Sequence, residues 1–252
     1  MKKLYNIATI ESTEEHPPIP VYEERQSIGF VKGVSNVSKN YVIVISRHFG
    51  SGGRQVGVGL SEKLGIPLYD KSILSRVAQE QGVPDERLRK MDEHLNGNRF
   101  QNIGLLAKHA ALGAAYLFET DPTLVLDREK VFQWQEDLIR RLVEEGPCII
   151  VGRCADYILR DHPNLISLFI TAPKEVREER IAQLHPNHPK EHYETHGQFV
   201  EKTDRLRSHY YEYHTKRNWD DLSHYDLCVD SSKLGIDGTV DMLMEYIKRR
   251  IE

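Results

Sequence analysis

The segment from Ser46 to Arg54 contains the residue types that bind a chain of phosphates. It reads SRHFGSGGR, with glycines at positions 50, 52 and 53. Glycines let successive backbone N–H groups turn toward one anion, and the N-terminus of a following helix adds about half a positive charge. The segment therefore predicts a phosphate site made of Gly50, Ser51, Gly52, Gly53, Arg54 and Gln55.

The same segment departs from the P-loop pattern Gly-x-x-x-x-Gly-Lys-Ser/Thr. With Gly52 as the last glycine of that pattern, Arg47 holds the first glycine position and Gly53 holds the lysine position. Arg54, one place further on, could supply the missing positive charge, and Gln55 then replaces the metal-binding hydroxyl. A glycine-rich turn that binds nothing is the alternative, and the loop alone leaves both interpretations open.

Two more polar residues follow short apolar runs. Asp70 comes after Ile66–Tyr69, where a carboxylate can accept a hydrogen bond from a base or a ribose. It also suits the N-cap of a helix, which is the alternative. Arg153 comes after Cys148–Val151, and its planar guanidinium is suited to a phosphate. A surface ion pair is the alternative for Arg153, but several such strand ends converge, which favours phosphate binding.

Two arginines further along the chain could neutralise a phosphoryl group during its transfer. Arg177 and Arg180 are one helical turn apart, so they share a face. Phosphoryl transfer needs such cations because negative charge builds up on the equatorial oxygens. Together with Arg54 they are the predicted catalytic residues, and a charged helix face in solvent is the alternative for each arginine taken singly.

Buried strands must position these residues. Val42–Ile45, Cys148–Val151 and Leu165–Ile170 are apolar runs typical of strands buried on both faces of a parallel sheet. Ile66–Tyr69 and Tyr225–Val229 are further strand candidates. Helical patterns alternate with these runs, which predicts an α/β fold with a doubly wound parallel sheet flanked by helices. Such sheets bind ligands at the carboxyl ends of their strands, where the polar residues above fall.

The chain divides into an atypical start and one larger domain. Within residues 1–40, the stretch Glu11–Pro20 (ESTEEHPPIP) is acidic and contains prolines, which predicts an arm or linker. Residues 41–252 are predicted to form a single domain. Residues 72–145 have helical patterns, including the alanine- and leucine-rich run Ile103–Phe118.

A group of four histidines (His185, His188, His192 and His196) could in principle hold a metal. Pro186 and Pro189 interrupt the helical spacing, however, and no cysteine accompanies the histidines. A mobile polar loop is therefore favoured, and no metal site is predicted.

Composition limits the classes of function. The chain has 252 residues, a formal net charge of −4 and 39% hydrophobic residues, enough to fill the core of a large α/β domain. Binders of duplex nucleic acid usually carry a basic surplus, so this partner is disfavoured. No apolar run reaches the roughly 18 residues of a membrane span, and the first residues lack the apolar stretch that is typical of a secretory signal, so neither is predicted. Three cysteines make a poor disulfide framework, and a cytoplasmic location is predicted.

Four separated motifs resemble the cytidylate kinase-like family of P-loop nucleoside monophosphate kinases. They are ISRHFGSGGRQVG, LYDKSIL, IIVGRCADYIL and DRLRSHYYEYHTKRNWDDLSHYDLCVDS, and together they run from about residue 41 to the C-terminus. The resemblance implies a central sheet, an inserted helical region at about 72–145 that binds the monophosphate, and a small lid at about 182–206. It also implies ATP and Mg²⁺ as cofactors and small-molecule nucleotides as partners, and a homo-oligomer is possible.

The resemblance also assigns residues to the monophosphate site: Asp70, Arg153, Asp156, Asp204 and Arg207. Two positions next to these residues depart from the family pattern. Lys71 replaces a threonine after Asp70, and Cys154 stands where an aspartate is expected, with Asp156 two residues later.

Three hypotheses follow. The first is a kinase that transfers the γ-phosphoryl group of ATP to CMP or dCMP. The second is a weakly active or inactive protein of the same fold that binds a nucleotide or phosphate as a regulator, because the P-loop lysine is missing. The third is a kinase for another acceptor.

Overall fold

A parallel five-stranded sheet forms the centre of the protein in this computed structural model, which describes residues 41–85, 88, 128–184 and 195–251. The strands follow the order β2-β3-β1-β4-β5. All four neighbouring pairs are parallel. The strands are β1 (Val42–Arg47), β2 (Leu68–Tyr69), β3 (Cys148–Val151), β4 (Leu165–Thr171) and β5 (Leu227–Asp230).

Helices cover both faces of this sheet, so the predicted doubly wound fold is confirmed. Ile43 and Ile45 of β1 pack in one apolar cluster, whereas Val42 and Val44 pack in another on the opposite face. The described helices are α1 (Gly53–Leu64), α2 (Ser72–Gln81), α3 (Arg128–Glu144), α4 (Ala155–Ile158), α5 (Lys174–Leu184), α6 (His196–Thr215) and α7 (Gly235–Ile251). Helices α1 and α7 cover the first face, and α2, α3, α4 and α6 the second.

The strand sequences explain this arrangement. The four residues Val42–Ile45 have no exposed surface, as expected for a strand covered on both sides. Burying each such side chain contributes about 1.5–3 kcal/mol, so β1 is fixed in the middle of the sheet. The direction of the strand order reverses at β1, between β3 and β4. This reversal is the switch point where doubly wound sheets bind ligands.

Two strands begin later than their sequence patterns predict. The N–H of Ile66 bonds to the carbonyl oxygen of Ser61, and Pro67 has no N–H to give to a neighbour, so β2 starts at Leu68. The N–H of Tyr225 likewise bonds back to Leu222, and β5 starts at Leu227. In both cases a local turn takes the donors that a strand would need.

Several regional predictions fall partly or wholly on residues that the structure does not describe. The predicted arm at 1–40 and the run Ile103–Phe118 lie outside the described residues. Helices α2 and α3 occupy the two ends of the predicted helical region at 72–145, and α5 and α6 extend into the predicted lid at about 182–206. Three of the four clustered histidines, at positions 185, 188 and 192, also lie outside.

The described segments lack two kinds of feature, a membrane-spanning helix and a cluster of metal-binding side chains. None of the helices within them is both long enough and apolar enough to cross a membrane. The same segments contain no group of three or more His, Cys, Asp or Glu side chains that could hold a metal ion.

Candidate active site at the switch point

The glycine loop lies where the sequence places it, between β1 and the first turn of α1. Gly50 and Gly52 have φ angles of 79° and 81°, a conformation that side-chain-bearing residues rarely adopt. The Ser51 amide bonds to the carbonyl oxygen of His48, and the Gly53 amide lies 3.4 Å from Ser51 Oγ. Among the described residues, no acceptor is found for four other backbone N–H groups, those of Gly50, Gly52, Arg54 and Gln55. A phosphate bound at the loop could accept hydrogen bonds from these four N–H groups.

Asp204 fixes one side of this loop. Its Oδ1 accepts a hydrogen bond from the Phe49 amide at 2.6 Å, and its Oδ2 lies 2.6 Å from Nη1 of Arg177. Arg177 also donates to the carbonyl oxygens of Phe49 and Ala172, at 3.1 and 3.0 Å. Both side chains of the ion pair are mostly buried, with 12% and 15% of their surface exposed. Helices α5 and α6 thus hold the loop through one shared carboxylate.

Arg180 holds the next part of the loop. Its Nη1 donates to the carbonyl oxygen of Ser51 and to Oγ of Ser231, both at 2.9 Å. The Ser231 hydroxyl donates to the same carbonyl oxygen. The two arginines predicted to act on a phosphoryl group therefore bind protein acceptors on the loop, and their catalytic role stays a prediction.

Asp70, just after the end of β2, forms an ion pair with Arg54 in the first turn of α1. Arg54 Nε donates to Asp70 Oδ2 at 2.7 Å, and the other carboxylate oxygen is 3.4 Å from the Ser72 amide at the start of α2. Burial alone would raise the pKa of Asp70, but the hydrogen bond and charge of Arg54 outweigh it and lower the pKa. The structure thus joins one residue predicted for ATP to one predicted for the monophosphate.

Three arginines converge beside the loop: Arg47 at the end of β1, Arg153 after β3 and Arg207 in α6. Arg207 Nη1 donates to the carbonyl oxygen of Arg47 at 3.1 Å. Burial, followed by the charges of Arg207 and Arg153, lowers the pKa of Arg47 well below its usual value. Burial also lowers the pKa of Arg207 to about 10, with Arg153 and Arg177 adding to the shift against the opposing effect of Asp204. We call these three residues the arginine cluster.

Sequence reasoning missed Arg47 as a site residue. The signal was present, because Arg47 stands at the first glycine position of the P-loop pattern, where a large cation is out of place.

The turn that carries Arg153 is strained. Gly152, Arg153 and Cys154 have φ angles of 76°, 61° and 53°, so three consecutive residues are left-handed. For residues with a Cβ this conformation costs about 1–2 kcal/mol each. Buried Gln135 donates to the carbonyl oxygen of Arg153 at 3.1 Å and helps to hold the turn. Strain of this kind concentrates at functional sites.

Asp156 has different surroundings from the other predicted monophosphate ligands. Its Oδ2 accepts a hydrogen bond from the Tyr211 hydroxyl at 2.6 Å, and only 6% of the residue is exposed. Burial raises the pKa of Asp156, against the opposing effect of the Tyr211 hydrogen bond. The structure thus brings Arg153, Asp204 and Arg207 to the loop and places Asp156 against Tyr211.

The strand order and the glycine loop at the end of β1 define an α/β protein of the P-loop kinase type. A sequence model described as the cytidylate kinase-like family matches residues 42–233. The chain belongs to this family, which confirms the resemblance seen in its motifs. No curated protein matches the chain.

Solved structures with a similar fold include an uncharacterized protein from Eubacterium ventriosum ATCC 27560. It is 27% identical, with a TM-score of 0.58, and the match covers 82% of this chain and 98% of that one. A shikimate kinase from Acinetobacter baumannii is 12% identical with a TM-score of 0.44, covering 84% and 94%. A gluconokinase from Sinorhizobium meliloti 1021 is 13% identical with a TM-score of 0.45, also covering 84% and 94%. At these scores the two kinases carry no argument about the substrate.

Proposed function

We propose that this protein is an ATP-dependent phosphotransferase whose acceptor is a nucleoside monophosphate, with CMP or dCMP as the acceptor that the family implies. The observation that carries the proposal is one juxtaposition at the switch point. A loop with unused backbone N–H groups lies beside three arginines, and burial together with the charges of Arg207 and Arg153 lowers the pKa of Arg47. Amides and guanidinium groups at one strand edge suit two phosphate-bearing ligands.

In this mechanism the loop binds ATP. Four unused backbone N–H groups donate hydrogen bonds to the phosphate oxygens, aided by the N-terminal dipole of α1. They belong to Gly50, Gly52, Arg54 and Gln55. Arg153 and Arg207 of the arginine cluster, together with Asp70 and Asp204, bind the acceptor. The guanidinium groups of these two arginines hold the acceptor phosphate in line and offset the negative charge that builds up during transfer.

The loop-binding arginines have a supporting part in this proposal. Arg177 and Arg180 donate to loop carbonyl oxygens, so they hold those carbonyls away from the phosphate and keep the amides available. In a second form of the same proposal, Arg177 or Arg180 contacts the γ-phosphoryl group directly during its transfer.

Magnesium enters the proposal only with ATP. Mg²⁺ in kinases is held by one or two protein oxygens and mostly by phosphates and water. A magnesium ion that arrives with ATP would therefore need only one or two oxygens from the protein.

A binding protein without transferase activity is the second candidate. Gly53 occupies the lysine position, and Arg54, the neighbouring cation, is already paired with Asp70. A loop that lacks a positive side chain directed at the γ-phosphate could bind ATP without activating it.

An ADP-release assay with purified protein, ATP and Mg²⁺ tests the proposal. We expect turnover with CMP or dCMP, and weaker or no turnover with UMP, AMP, GMP, shikimate and gluconate. Calorimetry with ATP and with CMP runs in parallel. Binding of both nucleotides without turnover, even at high protein concentration, would support the binding protein, and turnover restricted to a non-nucleotide acceptor would support the third hypothesis.

A further inference from the structure

Arg47 and Gly53 have exchanged their residue types relative to the P-loop pattern. That pattern places glycine first and lysine at the seventh position, whereas this chain has arginine first and glycine seventh. The two positions are also in contact. A Cβ atom added to Gly53 would lie 2.6 Å from Cβ and 3.0 Å from Cγ of Arg47. The side chain of Arg47 therefore occupies the space in which a side chain at residue 53 would begin.

The far end of Arg47 reaches the neighbouring strand. Its Nη1 lies 2.0 Å from the place where a Cβ of Gly152 would be, and its Cζ lies 3.1 Å from it. Gly152 is thus the second glycine whose missing side chain makes room for Arg47. The path of the side chain runs from the end of β1, past the first residue of α1, to the turn after β3.

The guanidinium of Arg47 lacks a protein partner in the described part of the chain. It donates no hydrogen bond there and forms no ion pair, although Asp70 and Asp204 act on it through their charges. Its nearest charged neighbours include Arg153 and Arg207, which oppose its positive charge. A guanidinium has five N–H donors, and a partly buried one without acceptors is costly. An anion that accepts from it would remove this cost.

We propose that Arg47 is the phosphate-binding cation of this loop and replaces the absent P-loop lysine from the strand side instead of the helix side. Its ligand is a phosphoryl oxygen of the bound nucleotide, between the loop amides and the rest of the arginine cluster. A side chain at Gly53 would displace Arg47 at its Cβ, and one at Gly152, where the φ of 76° also favours glycine, would displace its guanidinium. This inference rests on the proposed function, since it assumes that the loop binds a polyphosphate.

Placing lysine at residue 53 alone does not restore a P-loop, because its Cβ meets Arg47 close to the backbone, where the atoms cannot swing aside. Removal of the Arg47 side chain clears that space. The two positions must therefore change together.

Four variants test this inference: R47Q, G53K, the double variant R47G/G53K, and R140Q as a control. Arg140 lies on an exposed face of α3 and pairs with Glu136, outside the site. Affinities for ATP and for inorganic tripolyphosphate are measured by calorimetry, and the midpoint of thermal unfolding is measured without ligand. Tripolyphosphate isolates the phosphate contacts from those of the base.

We expect R47Q to weaken both ligands by about 10- to 100-fold, the loss typical of one charge-assisted contact, without lowering the unfolding midpoint. G53K should weaken binding and lower the midpoint. The double variant should bind both ligands more tightly than G53K and unfold at a higher midpoint, so that the effects of the two changes are not additive. R140Q should match the wild type.

Three results would count against the inference. Equal affinity of R47Q and wild type for both ligands, in a wild type that binds them, overturns the role of Arg47 and leaves the proposed function standing. A wild type that binds neither ligand overturns the proposed function and this inference together. A double variant that binds more weakly than G53K contradicts the exchange itself.

Discussion

Arginines approach the glycine loop from two sides, and the two sides differ in what their charges meet. On the α5 side, Arg177 and Arg180 donate to the loop's own carbonyl oxygens and to Asp204 or Ser231. On the other side, the arginine cluster brings positive charges together, and burial followed by the charges of neighbouring arginines lowers the pKa values of Arg47 and Arg207.

This difference separates structural from functional cations. A guanidinium that is already bound to carbonyls stabilises the fold and has few donors left for a ligand. A group of like charges at a strand edge opposes folding unless an anion is bound. Substitutions on the α5 side should therefore reduce stability first, whereas substitution of Arg47, whose guanidinium has no hydrogen-bond or ion-pair partner in the described part of the chain, should reduce ligand binding and leave stability unchanged or raised.

The largest effect is expected for Asp204→Ala. The change removes the acceptor of the Phe49 amide and leaves Arg177 in a mostly buried place without its carboxylate. Removing one member of a buried ion pair costs about 3 kcal/mol or more, and urea denaturation measures this loss in the free energy of unfolding.

The matched control for that variant is Asp241→Ala. Asp241 pairs with Lys63 on the surface, where 66% of its side chain is exposed. Exposed pairs contribute about 0–1 kcal/mol. If both variants lost the same small amount, Asp204 would have no special role in holding the loop.

Arg180→Gln should have the next largest effect on stability. The carbonyl oxygen of Ser51 keeps the hydroxyl of Ser231 as a donor, so only part of the network is lost. A hydrogen bond from a charged donor contributes about 1.5–3 kcal/mol, and we expect a loss of about 2 kcal/mol in urea denaturation.

Arg180→Lys separates hydrogen bonding from charge. It keeps the positive charge, but lysine Nζ ends one bond closer to the backbone than Nη1, the atom from which Arg180 makes both contacts. A lysine variant as stable as the wild type, alongside an unstable glutamine variant, would show that charge alone holds the loop, which contradicts the structural role described above.

The fold could be predicted from the sequence because its strands are short, fully apolar and separated by helical patterns. The run VIVI gives β1 and its position inside the sheet, since only a strand covered on both faces is apolar at every residue. The exact starts of β2 and β5 could not be predicted, because they depend on where the N–H groups of Ile66 and Tyr225 find acceptors.

The site was harder to predict than the fold. Motif spacing located the loop, Asp70, Arg153 and Asp204, which the structure brings to one strand edge or its helices. It did not reveal that Arg177 and Arg180 turn toward carbonyl oxygens, nor that Asp156 lies against Tyr211. Those contacts depend on side chains from distant parts of the chain, which a local pattern does not contain.

A smaller effect, on binding instead of stability, is expected for Arg153→Gln. The variant removes one positive charge from the arginine cluster and keeps a side chain of similar length in the strained turn. We expect affinity for CMP to fall by about tenfold, or about 1.4 kcal/mol, as measured by calorimetry.

Arg140→Gln gives the control for this variant, because Arg140 pairs with Glu136 on an exposed face of α3 and its loss should leave the affinity for CMP unchanged. An affinity of Arg153→Gln equal to that of the wild type would remove Arg153 from the ligand-binding side of the comparison.

The smallest effects are expected for two carboxylates, Asp70 and Asp156, whose pKa values shift in opposite directions. Arg54 lowers the pKa of Asp70 despite its burial, whereas burial raises the pKa of Asp156. The ionised form of Asp70 therefore stabilises the fold above the unfolded pKa of about 3.9, and this contribution is lost as the pH falls through the lower folded pKa. For Asp156 the protonated form is favoured, so its contribution is present below about pH 3.9 and is lost as the pH rises through the raised folded pKa.

Asp70→Asn and Asp156→Asn should consequently change stability in opposite directions, each by less than about 1 kcal/mol because Arg54 is half exposed and Tyr211 still has an acceptor. Urea denaturation between about pH 3 and pH 8 measures both. Relative to the wild type, Asp70→Asn should lose stability at neutral pH and recover in acid, whereas Asp156→Asn should gain at neutral pH and lose that gain in acid. The same pH trend in both variants would mean that pairing with Arg54 does not distinguish Asp70 from Asp156, so a nearby guanidinium would then have no measurable effect on charge at this edge of the sheet.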